Sequence, residues 1–138
     1  MATPDELLAN LNQALAEVEK AKKVILSLSR DSSESVRALY RLAMYMLHEE
    51  HNLEGAKDLF HKLANCTTKC DSRAEARLSY GLMMWAHGEF DNAIKMLKRV
   101  ASEEENPEYQ ALALDYLSTF MREHNPSKPT VAKIDEQR

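Results

Sequence analysis

Glycine and proline are scarce in this chain of 138 residues, at 3 and 4, and most of them fall between segments of apolar periodicity. That is how a helical protein punctuates itself. Cysteine is scarcer still. Two thiols are no disulfide framework in this length, so the default address is cytoplasmic. No apolar run approaches the ~20 residues of a membrane helix, and "MATPDELL" lacks the basic-then-apolar form of a signal peptide. There is no excess of positive charge. A formal net charge of -4, with Lys and Arg scattered, supplies no basic stripe for nucleic acid. Gly-rich phosphate loops, HExxH and nucleophile-elbow patterns are missing as well, which argues against an enzyme.

What remains is ordinary for one soluble domain: 44% apolar and 29% charged residues. Six helices and no strand are expected. In the first, Thr3, Pro4 and Glu6 form a capping-box start. Leu7, Leu11, Ala14, Val18, Ala21, Ile25 and Leu28 then recur at alternating spacings of four and three, widened by Leu8 and Leu15. The breadth favours folding back on the same chain; the alternative is a homodimer pairing through this helix. Asp31 with Glu34 is a candidate cap for a second helix bearing Leu39, Leu42, Ala43, Met46 and Leu47. Asn52 caps a third, with Leu53, Ala56, Leu59, Phe60 and Leu63. Ser72 with Glu75 would open the fourth, Gly88 punctuates before a fifth, and Asn106-Pro107 opens the last. Residues 1–30 then form a packing helix and linker, 31–124 a helical body, and 125–138 a polar tail.

The middle of the chain repeats. "RALYRLAMYMLHEEHNLEGAKDLFHKL" from Arg37 and "AEARLSYGLMMWAHGEFDNAIKMLKRV" from Ala74 align without a gap at a period of 37 residues. Met44 meets Gly81, His51 meets Gly88, Ala56 meets Ala93 and Phe60 meets Leu97. Gly81 and Ala93 are the small side chains that let two helices cross closely.

The second unit resembles a tetratricopeptide repeat, whose small residue, turn glycine, aromatic and alanine have counterparts in Gly81, Gly88, Phe90 and Ala93. Leu97, Val100 and the late Pro107 depart from that pattern, as do Met44 and His51 in the first unit. The resemblance spans Arg37 to His124, with Pro107–His124 standing as a third first-helix. It implies an all-α fold of antiparallel hairpins stacked as a short α-solenoid. The layout is also similar to the cytosolic domain of the mitochondrial fission adaptor family, which ends in an apolar membrane tail where this sequence is polar. It is similar too to the class II type III secretion chaperones.

The resemblance implies a non-enzymatic adaptor, scaffold or chaperone, with the first helices of successive units lining a concave groove for a partner's peptide or helix. Carried over residue by residue, the groove would comprise Arg41, Tyr45, His48 and Glu49, then Glu75, Leu78, Leu82 and Trp85. Asp115, Thr119 and Arg122 complete it. Core packing is the competing reading of Leu78, Leu82 and Trp85. A second function class is an assembly subunit joined through the first helix. Cys66 and Cys70 with His48, His51 and His61 have zinc-ligand chemistry, yet the Cys-x3-Cys spacing is looser than the usual pair. Loop thiols without metal or cofactor are expected. "SEEEN" from Ser102 reads as a solvated turn at a helix end, and His87 as an exposed helix-end residue.

Overall fold

The structure is a computed structural model and describes residues 3–124. It comprises six α-helices: α1 (Pro4–Leu26), α2 (Ser33–His48), α3 (Leu53–Ala64), α4 (Asp71–Ala86), α5 (Phe90–Glu103) and α6 (Pro107–His124). No strand occurs among the described residues, and no helix there is long and apolar enough to cross a membrane. The tail expected at 125–138 lies outside them.

Local chemistry sets the helix starts. Thr3 Oγ1 accepts the Glu6 N–H and Asn52 Oδ1 accepts the Gly55 N–H, as their spacing predicts. Two starts differ. The α2 cap is Ser32, whose Oγ accepts the Ser35 N–H, so Asp31 stays outside the helix. In α4 the chain turns helical at Asp71, and Ser72 is buried inside the first turn instead of capping it. At the other end of α4, Gly88 takes φ +83° while the Glu89 N–H reaches the Met84 carbonyl at 2.8 Å. This is a left-handed helix stop. His51, 37 residues earlier, also has a positive φ, at 53°. The same bend therefore recurs at the matched position of both units, although only one carries the residue suited to it.

Each helix packs against the next, and α2 also touches α4 while α4 touches α6. Val36, Leu39, Leu42, Phe60 and Leu63 fill the space bounded by α2, α3 and α4. Leu78, Leu97, Val100, Ala113, Leu117 and Phe120 do so between α4, α5 and α6. The crossing of α4 and α5 is close. A Cβ added to Gly81 would lie 3.3 Å from Leu97 Cδ2 and 3.7 Å from the Ala93 carbonyl oxygen.

The first helix departs from its expected role. It touches α2 alone and buries no residue. Val18, Lys22 and Ile25 are half-buried, Ile25 packs on the α2–α3 core, and Lys22 Nζ lies 2.7 Å from Glu50 Oε2. Towards its N-terminus the helix runs clear of the body, with Leu7, Leu8, Leu11 and Leu15 at 52–58% exposure. The fold-back covers only the C-terminal part of the apolar stripe. The flank of α2 that α1 meets is shorter than α1 itself, since α2 has 16 residues and α1 has 23.

The α4–α5 crossing generates a stability prediction. Ala93 is wholly buried beside Gly81, so Ala93→Leu should overpack the hairpin and lower stability by about 1–3 kcal/mol. Urea unfolding of the two proteins measures it; an unchanged midpoint contradicts this packing.

Candidate functional site

Three charged side chains meet in the interior where the sequence promised a solvated turn. Glu104, the middle residue of the acidic run, is 4% exposed. Its Oε1 accepts from Arg73 Nε and from Arg77 Nη1, both at 2.8 Å. Arg77 Nε also donates to the Ala64 carbonyl at 2.8 Å, and Arg73 Nη1 to the Cys66 carbonyl at 3.2 Å. Two guanidiniums on α4 therefore hold the end of α3, the linker after it and the start of the α5–α6 connection. Burial lowers the Arg77 pKa, offset in part by Glu104 and Glu103. Arg73 and Arg77 stand four apart on α4, a signal visible in the sequence. Their burial was not.

A second bridge runs across α2, α4 and α6. The Tyr109 hydroxyl donates a short hydrogen bond to Glu75, and the half-buried Tyr40 phenol lies beside Glu75 and Ser79. Both phenols titrate above their ordinary range. The hydrogen bond to Glu75 is the main cause at Tyr109, and burial is the main cause at Tyr40.

These contacts redraw the expected groove. Leu78 is 7% exposed and belongs to the core with Leu97 and Leu117. Leu82 is half-buried against the same cluster, because α6 covers that side of α4. The Trp85 indole stacks on Phe120, with ring centroids 3.9 Å apart and planes within 6°, and meets Phe90 at 4.6 Å. Glu75 is occupied by Tyr109. On α6, Asp115 and Arg122 are exposed, while half-buried Thr119 donates its hydroxyl to the Asp115 carbonyl. On α2, Arg41, Tyr45, His48 and Glu49 are all exposed. Leu78 is taken up by the core, Leu82 and Trp85 are partly buried against it, and the expected positions that are exposed are those on or just after α2 with Asp115 and Arg122 on α6.

Cys66 and Cys70 are free, partly buried thiols in the α3–α4 linker, where Cys66 Sγ lies 3.9 Å from the Thr68 carbonyl oxygen. No group of three metal-ligating side chains converges among the described residues. His61 instead packs edge-on against Tyr80, and His87 Nδ1 lies 2.6 Å from the Met83 carbonyl oxygen.

One concavity that joins apolar surface to uncommitted charge lies between α1 and α2. It has a volume of about 420 Å³. Val18, Ala21 and Ile25 form one wall with Lys22; Ala38, Leu42 and Tyr45 form the other, with Glu34, Arg37 and Arg41 on the α2 side. Those two arginines are exposed and enter none of the ion pairs formed among the described residues. Apolar walls with two arginines and one carboxylate, Glu34, along the α2 edge suit the face of an amphipathic helix with charged residues on its flank. The groove joins Arg41 and Tyr45, named on the second helix, to a stripe on the first that sequence reasoning had assigned to packing. Comparison with family models, with curated proteins and with solved structures returned no match.

Two predictions follow from the buried contacts. Glu104→Gln leaves two interior guanidiniums without their carboxylate, so stability should fall by about 3–5 kcal/mol in urea unfolding. Tyr109 is held neutral as a donor in the folded chain. Its bond to Glu75 contributes fully below the ordinary tyrosine pKa and is lost as pH rises through the raised folded value. Tyr109→Phe should therefore cost about 1–3 kcal/mol at neutral pH, and the deficit should shrink in strong alkali. An ultraviolet phenolate titration should lose its most alkaline step in the same variant.

Proposed function

We propose that the protein is a non-enzymatic protein-interaction module that takes an amphipathic helix of a partner into the α1–α2 groove. The observation carrying this reading is the groove itself: apolar walls from two helices, with Arg37, Arg41 and Tyr45 exposed along one side. The body behind it reads as two degenerate tetratricopeptide-like hairpins and a closing helix. The left-handed bends at His51 and Gly88, 37 residues apart, support that repeat. So do the contacts of α2 with α4 and of α4 with α6, which set the first helices of successive units side by side. The free thiols suit a cytoplasmic setting.

Within this reading Tyr45 is the aromatic contact, Arg41 pairs with a carboxylate of the bound helix, and His48 and Glu49 extend the surface beyond the groove. Leu78 and Trp85 serve the body. A second reading, an assembly subunit joined through α1, is favoured by the exposure of Leu7, Leu8, Leu11 and Leu15.

Amphipathic helical peptides selected by display against the full chain test the first reading. Tyr45→Ala should weaken the selected peptides by about 2 kcal/mol, roughly thirtyfold, if it is the central contact. Arg41→Ala should cost less, about 1 kcal/mol or below, because its charge stays at the rim. Selection of no peptide, or peptides indifferent to both substitutions in calorimetric titration, would refute the groove as the binding site.

A further inference from the structure

We infer that the α1–α2 groove is filled by the N-terminal half of α1 from a second copy of this chain, running antiparallel to the α1 that forms the groove wall. The inference rests on reading the groove as a helix-binding site and names its occupant. Each copy carries both halves of the contact. One is a projecting helix with Leu7, Leu8, Leu11 and Leu15 in water; the other is an apolar groove lined by Val18, Ala21 and Ile25 of that same helix. At 100° per residue Leu7, Leu11, Ala14, Val18, Ala21 and Ile25 fall on one face. That face is continuous, but its two ends have different surroundings. The C-terminal end has α2 beside it, and the N-terminal end has no neighbouring helix among the described residues.

Charge decides the direction. Residues 3–19 carry Asp5, Glu6, Glu17 and Glu19 and no Lys or Arg, whereas residues 20–30 carry Lys20, Lys22, Lys23 and Arg30 and no Asp or Glu. Arg37 and Arg41 add positive charge at the groove, offset in part by Glu34, which leaves a net excess of one positive charge on the α2 side. A parallel pair would set acid against acid and leave both grooves open. An antiparallel pair with Leu7 opposite Ile25 brings Asp5 and Glu6 within about a turn of Lys22 and Lys23 of the other copy, while Glu17 and Glu19 lie beside the two-fold axis. Apolar register agrees with that direction. Placing Leu7 opposite Ile25 also places Leu11 opposite Ala21 and Ala14 opposite Val18, so every seam residue meets another. In an isologous pairing of this kind the two-fold axis makes each contact twice, and the exposed leucines of both copies leave water together.

Light scattering on the eluting full chain reads the assembly. The expected mass is twice 15.7 kDa over a dilution series. Leu7→Asp with Leu11→Asp should yield a monomer, weakening the pair about a hundredfold or more. Helix content should be unchanged, because those residues touch nothing in the single copy. Asp5→Lys with Glu6→Lys should also weaken the dimer, and adding Arg37→Glu with Arg41→Glu should restore much of it; failure of that rescue rejects the antiparallel arrangement. A synthetic peptide of residues 4–17 should bind the monomeric Leu7→Asp/Leu11→Asp chain and not its Ala21→Asp derivative. A wild-type chain that stays monomeric at every concentration overturns the inference, as does a dimer that survives the two leucine substitutions. If the monomer ignores the α1 peptide yet binds display-selected helices through Tyr45, the groove keeps its function and loses this occupant. If it binds neither, both readings fail.

Discussion

Arg73 and Arg77 share the carboxylate of Glu104 inside the body, and the rest of the helical arrangement hangs on that sharing. Removing three charges from water is costly, so the cluster persists only because its remaining donors are largely used. Arg77 spends Nε on the last carbonyl of α3, and Arg73 spends Nη1 on a carbonyl of the linker. The α3–α4 linker is therefore held by hydrogen bonds from α4. Glu104 in turn fixes where the chain leaves α5, and its own carbonyl accepts from Gln110 on α6. One cluster aligns three helices and two connections. An apolar replacement of similar volume could bury as well, but it could not reach the backbone of its neighbours.

With the body closed in this way, α1 is left outside it. Much of the body's apolar surface is covered by consecutive helix pairs, and Trp85 packs on Phe120 and Phe90 at the far end. Only one flank of α2 remains for α1, which meets it through Val18, Lys22 and Ile25 and leaves its leucine-rich start in solvent. A 23-residue helix is about 34 Å long, more than that flank covers. The groove and the projecting leucines are thus two results of one mismatch in length. This connects the interaction reading with the assembly reading, since the groove wall and the free stripe are the same face of the same helix.

How much of this could be read from residues alone varies by feature. The six helices were legible because apolar spacing is a local property, and so was the left-handed stop at Gly88. The close approach at Gly81 and Ala93 followed from two small residues in matched places of a repeat. Caps were legible where a single side chain could reach, at Thr3 and Asn52. They were misplaced where neighbours competed, at Asp31 beside Ser32 and at Ser72 after Cys70. The surface was harder. Leu78, Leu82 and Trp85 sit at positions that could face a groove or a following helix, and periodicity cannot say which of the two covers them.

By itself the sequence determined the helical class, the places where helices stop, and the segregation of acidic from basic residues along α1, because all three are read from residues near one another along the chain. Tertiary structure decided which apolar stripes are covered and which polar groups are removed from water. Glu104 lies in an acidic run and Arg77 among ordinary helix formers; nothing within a turn of either predicts an interior ion pair. Burial depends on which helix arrives from far along the chain, and the carboxylate that neutralises Arg77 comes from 27 residues away. The same holds for α1. Its stripe is apolar from Leu7 to Leu28, but only the position of α2 determines that the C-terminal part has a neighbour and the N-terminal part meets water.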